Sequence, residues 1–487
     1  MKFIGPFLRI NSLDKEDIVN QLFHLSKESL RHIVLDSKCG IPISPHELSK
    51  HTTNIELNSI KTYSPLLCIY KKGSAKLTTE NNRLLWNTEK FKKDILISSN
   101  AFMTLSLIEL CKYYDNFENI DNDKYLLKEL YTTLSKLQLE FYASNLRNIE
   151  GVFIDKEHTS ELFSSKIELA DKNIKFKFSD QALLMCAYYN ISTIYESNND
   201  TSIEHDNLPE NKKKDSNKHE IKPMISKEEF KKFSLDILNM FIDFREDIYE
   251  ISFMEKLKTS IYLNIFYRYS KEEICKPLLF DLFDIIHEEF EDHSSSSKKN
   301  TVIRDSLISI NSMLMYSNFK FLKAKELSDS VHSQLSSIYD ESLGLFQKDL
   351  DSKTVDYTCD EVLTYLYEQC MYSTIFDTDD NYDIIENIFK KGVVNSGLIL
   401  SWPDVPNLND CERYRGFSKK SEDLLDDEKF RLPTISTPTS NELAPIFLKK
   451  VSLNRKKIEF KQSKFTFDSN KNMSIFFMFI FFYNNFM

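Results

Sequence analysis

The sequence predicts an all-α protein built as an array of about six helical hairpins, and three observations carry that expectation. Apolar residues recur at helical spacing along most of the chain, glycine and proline are scarce, and helix-start signals fall where apolar stripes begin. Glycine occurs 8 times and proline 12 times in 487 residues. Average usage would be about 12% for the pair, and turn-rich β folds use both freely. A bias in nucleotide composition, which the abundance of Asn, Lys, Ile, Phe and Tyr also fits, would act in the same direction.

Taken in order, helices are expected over 14–25 and 26–36, followed by a β-hairpin. The hairpin runs from Leu66-Leu67-Cys68-Ile69-Tyr70 through Lys71-Lys72-Gly73-Ser74 to Ala75-Lys76-Leu77-Thr78. Helices follow over 99–115 and 123–146, the second with Leu127, Leu130, Tyr131, Leu134, Leu137 and Phe141 on one stripe. Next come 180–195 and 227–246, the latter striped by Phe230, Phe233, Ile237, Met240 and Phe244. The series continues over 252–269, 277–291, 301–316, 320–338, 360–374 and 381–391. Ser44/Glu47, Ser226/Glu229 and Thr358/Glu361 each place a hydroxyl three residues before Glu, the spacing of a capping box.

Residues 1–90 thus form a helical segment with a small β-hairpin, and 91–394 the hairpin array. The polar stretches 197–223 and 292–300 read as surface loops within that array, because they hold too little apolar surface to offset ordering. Residues 395–472 form a proline-containing irregular arm, with Lys457-Ile458-Glu459-Phe460-Lys461 alternating as an extended strand would. Residues 473–487 are an uncharged hydrophobic tail. Gly151-Val152-Phe153, Gly344-Leu345-Phe346 and Gly397-Leu398-Ile399 each follow a helix, where a residue that tolerates the left-handed conformation is needed. Their spacing suggests a hairpin period of roughly 50 residues.

Several chemistries are excluded. No two glycines form a phosphate-binding loop, so nucleotide sites of the G-x-G-x-x-G or P-loop kind are absent. A net charge of −11 argues against a general nucleic-acid binder. The 8 cysteines are dispersed without a C-x-x-C pair, which fits free thiols in a reducing compartment. His287 and His293 lie six apart, on different helix faces, so the stretch reads as a solvated acidic helix end and no metal is expected. No cofactor is expected either. The N-terminal apolar stretch is broken by Pro6 and stopped by Arg9, unlike a signal peptide, so a cytoplasmic location is expected.

Helical hairpins joined by G-φ-φ words resemble the α/α toroids of six-hairpin glycosidases and N-acylglucosamine 2-epimerase relatives, over about residues 90–410. The count favours a closed toroid over an open solenoid. The resemblance implies a carbohydrate-processing or carbohydrate-binding protein in which two carboxyl groups flank the bond, one as acid and one as base or nucleophile. Only two tryptophans are present, a departure from sugar clefts of that family.

On this reading Asp155 and Asp404 are the candidate catalytic residues, both being loop carboxylates near aromatics. Trp402 and Tyr414 could stack on a sugar ring, and Arg413 and Arg415 could clamp an anionic group. Asp155 equally fits a turn residue or helix cap, and the Trp402-Pro403 segment equally fits packing over the array. The alternative is a non-catalytic helical scaffold that binds a protein partner or a membrane. Lysines and arginines concentrated in 449–471, next to the apolar tail, fit peripheral membrane contact through 449–487. The tail also fits a buried terminal strand.

Overall fold

The computed structural model describes residues 14–51, 63–80, 83–159, 167–173, 175–194, 225–293, 301–378, 381–400 and 445–487. Helix dominates them. The longer helices are α1 (Lys15–Leu35), α2 (Ile97–Asp115), α3 (Asn122–Asn145), α4 (Phe178–Ile194), α5 (Lys227–Asp243) and α6 (Phe253–Ser270). They continue as α7 (Lys276–His293), α8 (Thr301–Phe319), α9 (Leu322–Ser337), α10 (Cys359–Ile375), α11 (Tyr382–Asn387) and α12 (Ser469–Phe486). A π-helical stretch, Ile388–Asn395, prolongs α11.

Two kinds of helix follow from two kinds of pattern. Odd-numbered helices are mostly striped: α5 buries Phe230, Ile237, Leu238 and Phe241 while Lys231 and Lys232 face solvent. Even-numbered helices such as α4 have no polar face, and Leu183-Leu184-Met185-Cys186-Ala187 is buried throughout. A helix apolar all round must be covered on every side. The packing supplies that cover: α2 packs on α4, α4 on α6, α6 on α8, α8 on α10, α10 on α12 and α12 on α2. Each odd helix lies against an even one, α3 on α2, α5 on α4, α7 on α6, α9 on α8, the α11 stretch on α10 and α1 on α12.

The strands are β1 (Gly40–Pro42), β2 (Leu66–Ile69), β3 (Lys72–Glu80), β4 (Arg83–Lys92), β5 (Asp94–Ile95), β6 (Lys156–His158), β7 (Leu169–Asp171) and β8 (Tyr339–Asp340). They continue with β9 (Leu345–Phe346), β10 (Thr354–Thr358), β11 (Ile399–Leu400), β12 (Ile446–Phe447), β13 (Lys450–Asn454), β14 (Glu459–Gln462) and β15 (Thr466–Asp468). All pairings are antiparallel: β1-β2, β15-β3-β4, β5-β6-β7, β8-β9, β10-β13-β14 and β11-β12. Every one of these strands lies in a link from an odd helix to the next even one, so the sheets precede the N-terminal ends of even helices.

Some expectations change. The helices expected over 14–25 and 26–36 are one, because Ser26 donates to the Leu22 carbonyl inside the helix instead of starting a new one. β2 pairs with β1, and the hairpin lies one strand later, between β3 and β4. The 227–246 helix ends at Asp243 and is followed by a short helix, Arg245–Glu250. Both capping boxes at Ser226 and Thr358 form. Gly151, Gly344 and Gly397 all have positive φ, but they follow α3, α9 and the α11 stretch, so the residue spacing is not an even period.

The tail is neither strand nor exposed. It forms α12, capped by Asp468, with Ile475, Phe476, Phe477, Phe479, Ile480, Phe481 and Phe482 buried. Strand propensity of Phe and Ile is overridden by the surrounding helices, which take up apolar side chains around the whole circumference. Among the described residues no helix is long and apolar enough to cross a membrane.

Glu109, on α2, is fully buried and anchors α12. Its carboxylate accepts from Lys112 Nζ (2.7 Å), Asn190 Nδ2 on α4 (3.0 Å), Tyr269 OH on α6 (2.8 Å) and Asn484 Nδ2 on α12 (2.9 Å). Burial opposes its ionisation, but Lys112 and the donors from Lys112, Asn484 and Tyr269 outweigh it and hold the carboxyl below its usual range. All four partners are donors, so Glu109→Gln would turn an amide NH2 toward one or more of them. The variant should lose about 2 to 3 kcal/mol, read as a lower urea midpoint with unchanged m; a midpoint equal to wild type would show that Glu109 does not hold these helices together.

Candidate functional site

Asp155 follows Phe153, whose bridge to Arg147 turns the chain back after α3, and precedes β6. Since β6 pairs with β5 and β5 leads into α2, the Asp155 side chain lies over the start of α2. Its Oδ1 accepts the Ile97 N–H (3.0 Å), and its Oδ2 accepts from Asn173 Nδ2 (3.3 Å). Leu96, at the N-cap position, has no side chain able to do this. Asp155 is therefore a helix cap supplied from a distant segment.

The same device recurs at α4. Glu255, in the first turn of α6, accepts the Ser179 N–H through Oε1 (2.9 Å). Ser252-Phe253-Met254-Glu255 has the spacing of a capping box, yet Ser252 makes no side-chain cap bond and the Glu carboxylate is diverted to the neighbouring helix.

Between these two caps lies Asp180, in the first turn of α4 and only 5% exposed. Among the described residues its ion-pair partner is Lys177, whose Nζ is 3.7 Å from Oδ2. Burial pushes the carboxyl up; Lys177 and Lys258 pull it down, while Asp155 and Glu255 push it up further, and the result is about 7. Asp180 raises the Lys177 ammonium against the cost of its burial, with Asp155 and Glu255 adding to the effect. Tyr262, two turns along α6 from Glu255, has its phenol pushed up by burial and then by Asp180 and Glu255. Its ring lies 5.8 Å from Phe102 of α2, and Phe102 lies 5.6 Å from Phe477 of α12. Glu255, Lys258 and Tyr262 remain half-buried.

Three carboxyl groups, a lysine and the half-buried Tyr262 ring thus meet where even helices begin. Partial positive charge at the starts of α2 and α4 favours the carboxylates that cap them. Asp180 can hold a proton near neutrality, as a general acid must, and Glu255 keeps one oxygen outside its capping bond.

Of the residues singled out from sequence, Asp155 joins this cluster. Asp404, Trp402, Arg413, Tyr414 and Arg415 lie outside the described residues. Sequence reading missed Asp180, Glu255 and Lys177; the S-x-x-E word at Ser252 was the available signal for Glu255, whereas an Asp in a first turn is too common to mark Asp180.

A second polar cluster is structural. Glu368 Oε1 accepts from Ser309 Oγ (2.7 Å) and faces His332 Nδ1 (3.0 Å), while His332 stacks on Tyr372 at 3.6 Å. Ser309 and His332 both address the carboxylate, not each other, which is not the order of a nucleophile activated by a base. Among the described residues no group of His, Cys, Asp and Glu is arranged to hold a metal ion, and Cys39, Cys68, Cys111, Cys186, Cys275, Cys359 and Cys370 are buried free thiols.

Comparison with protein-family models and with curated proteins finds no match to this chain.

Asp180 generates a pH prediction. Its folded-state value of about 7 exceeds the unfolded value near 4, so the folded state binds the proton more tightly. The stability this group contributes is full below about pH 4 and is lost as pH rises through about 7. Asp180→Asn should therefore gain melting temperature relative to wild type between pH 5 and pH 8. Parallel melting curves for the two proteins across that range would rule out a raised Asp180.

Proposed function

We propose that the helices close as an α/α toroid, even-numbered helices inside and odd-numbered outside, and that its mouth at the inner N-termini binds and processes a saccharide. Closure is supported by the contact of α12 with α2, which joins the last inner helix to the first, and by α1 packing outside α12. The function rests on one observation: Asp180, a buried carboxyl raised to about 7, lies beside Asp155 and Glu255. Glycoside chemistry needs a carboxyl that holds its proton and a second carboxyl near it. In this reading Asp180 gives its proton to the leaving oxygen, Glu255 activates water or attacks, and Asp155 positions the start of α2. Tyr262, half-buried and backed by the core rings of Phe102 and Phe477, supplies an aromatic edge for the apolar side of a sugar ring.

The second reading, a non-catalytic helical scaffold, is favoured by the engagement of both Asp155 oxygens in capping and bracing.

A thermal-shift screen of the full-length chain against neutral, acidic and amino saccharides separates them. The toroid-enzyme reading expects at least one saccharide to raise the melting temperature through mass action, and the rise to vanish in Asp180→Asn and Glu255→Gln. Both variants keep side-chain volume, and the amide introduced by Glu255→Gln retains an oxygen for the Ser179 N–H. No shift with any saccharide, or a shift untouched by Asp180→Asn, would leave the scaffold.

A further inference from the structure

The β13–β14 hairpin supplies the central and one edge strand of the β10-β13-β14 sheet. Its inner face is fixed by Val355, Tyr357, Val451 and Leu453, each at most 1% exposed. The tip is Arg455-Lys456-Lys457-Ile458. Arg455 holds it to the neighbouring 348–353 loop: its guanidinium donates to the Leu350 carbonyl (2.6 Å) and the Lys348 carbonyl, and its backbone N–H to that of Lys353 (3.2 Å).

Ile458 has φ of 54° and is 60% exposed. A β-branched residue in the left-handed region is strained, and Gly or Asn would fit that position at less cost. Strain retained at an exposed position calls for a use of the side chain. Leu350, on the loop that Arg455 binds, is 68% exposed. These two apolar side chains are accompanied by exposed Lys353, Lys456 and Lys457, with Lys461 further along β14. Asp349, Asp351 and Glu459 are the exposed acids of the same segments, so the lysines outnumber them by one and half-buried Arg455 adds a further cation. That excess is set on a chain whose net charge is −11.

We propose that this hairpin tip docks on an anionic lipid bilayer, with Ile458 and Leu350 entering the headgroup boundary and the flanking lysines meeting lipid phosphates and carboxylates. Apolar insertion combined with juxtaposed lysines is the pairing that makes peripheral attachment stable where either alone is marginal. An acidic protein would be met by the lysines but would not require an exposed, strained isoleucine at the apex. The contact differs from a tail anchor, since the apolar side chains of α12 are taken up within the fold.

The test is sedimentation of the full-length protein with phosphatidylcholine vesicles, with and without phosphatidylserine. Binding is expected only with the anionic lipid and to fall with salt. Lys456→Ala with Lys457→Ala should weaken it about 25-fold, roughly fivefold per lysine. Ile458→Gly should weaken it about tenfold while raising the melting temperature, because glycine relieves the positive φ. A purely structural isoleucine would not separate these readouts. Equal binding to both vesicle types, absence of binding, or full retention in all these variants would overturn the proposal. Loss in the lysine variants with no change in Ile458→Gly would also overturn it, pointing to an acidic macromolecule instead.

Discussion

The fold depends on the burial of Glu109. A carboxylate removed from water must be matched by charge and by donors, and here the donors come from four helices: Lys112 on α2, Asn190 on α4, Tyr269 on α6 and Asn484 on α12. Apolar surface holds α12 in place without specifying its depth or rotation, since Phe476, Phe477, Phe479 and Phe481 are interchangeable in kind. The Asn484 bond to Glu109, together with Arg268 donating to the Asn485 carbonyl (2.8 Å), fixes both. With Ser469 and Asn470 bonded to Ser99 and Ser98 of α2 at its other end, polar bonds at both ends of α12 set the register of an otherwise greasy helix.

At the opposite end of these helices the logic is different. The starts of α2 and α4 are capped by carboxylates from other elements, Asp155 from the segment before β6 and Glu255 from α6. Each cap satisfies orphan N–H groups of one helix while tying it to a neighbour. Local capping boxes at Ser226 and Thr358 do not have this reach, because donor and acceptor belong to the same turn. Long-range caps make the order of packing part of helix-end satisfaction, and they bring acidic side chains together at the starts of α2 and α4.

Local features were legible from sequence to the extent that local physics decides them. The stripe at Leu130, Tyr131 and Leu134 gave α3, and Ser226/Glu229 gave the start of α5. Features settled by distant partners were not. β2 and β3 read as one hairpin because Gly73 lies between them, but β2 finds its partner in Gly40–Pro42, more than twenty residues earlier. Residues 473–487 read as strand or surface because nothing within them shows that α1, α2 and α10 will surround them. Asp155 was found by being a lone loop carboxylate beside aromatics, and its capping role was one of the open readings; Asp180 was hidden because its environment is made by Asp155 and Glu255, which are close only in the fold.

The other buried carboxyl groups of this protein set Asp180 apart. Glu109 receives donors from four side chains, Glu368 from Ser309 and Gln369 with His332 beside it, and Glu361 from Lys348 and Thr358. Each is matched closely enough to be structural. Asp180, 5% exposed, has instead one ion-pair partner, Lys177 at 3.7 Å, and the like charges of Asp155 and Glu255 beside it. A carboxyl left in that state accepts a proton, and a protonated carboxyl is a donor in search of an acceptor. On the proposed saccharide reading, the proton at Asp180 is held for an oxygen that arrives with a ligand.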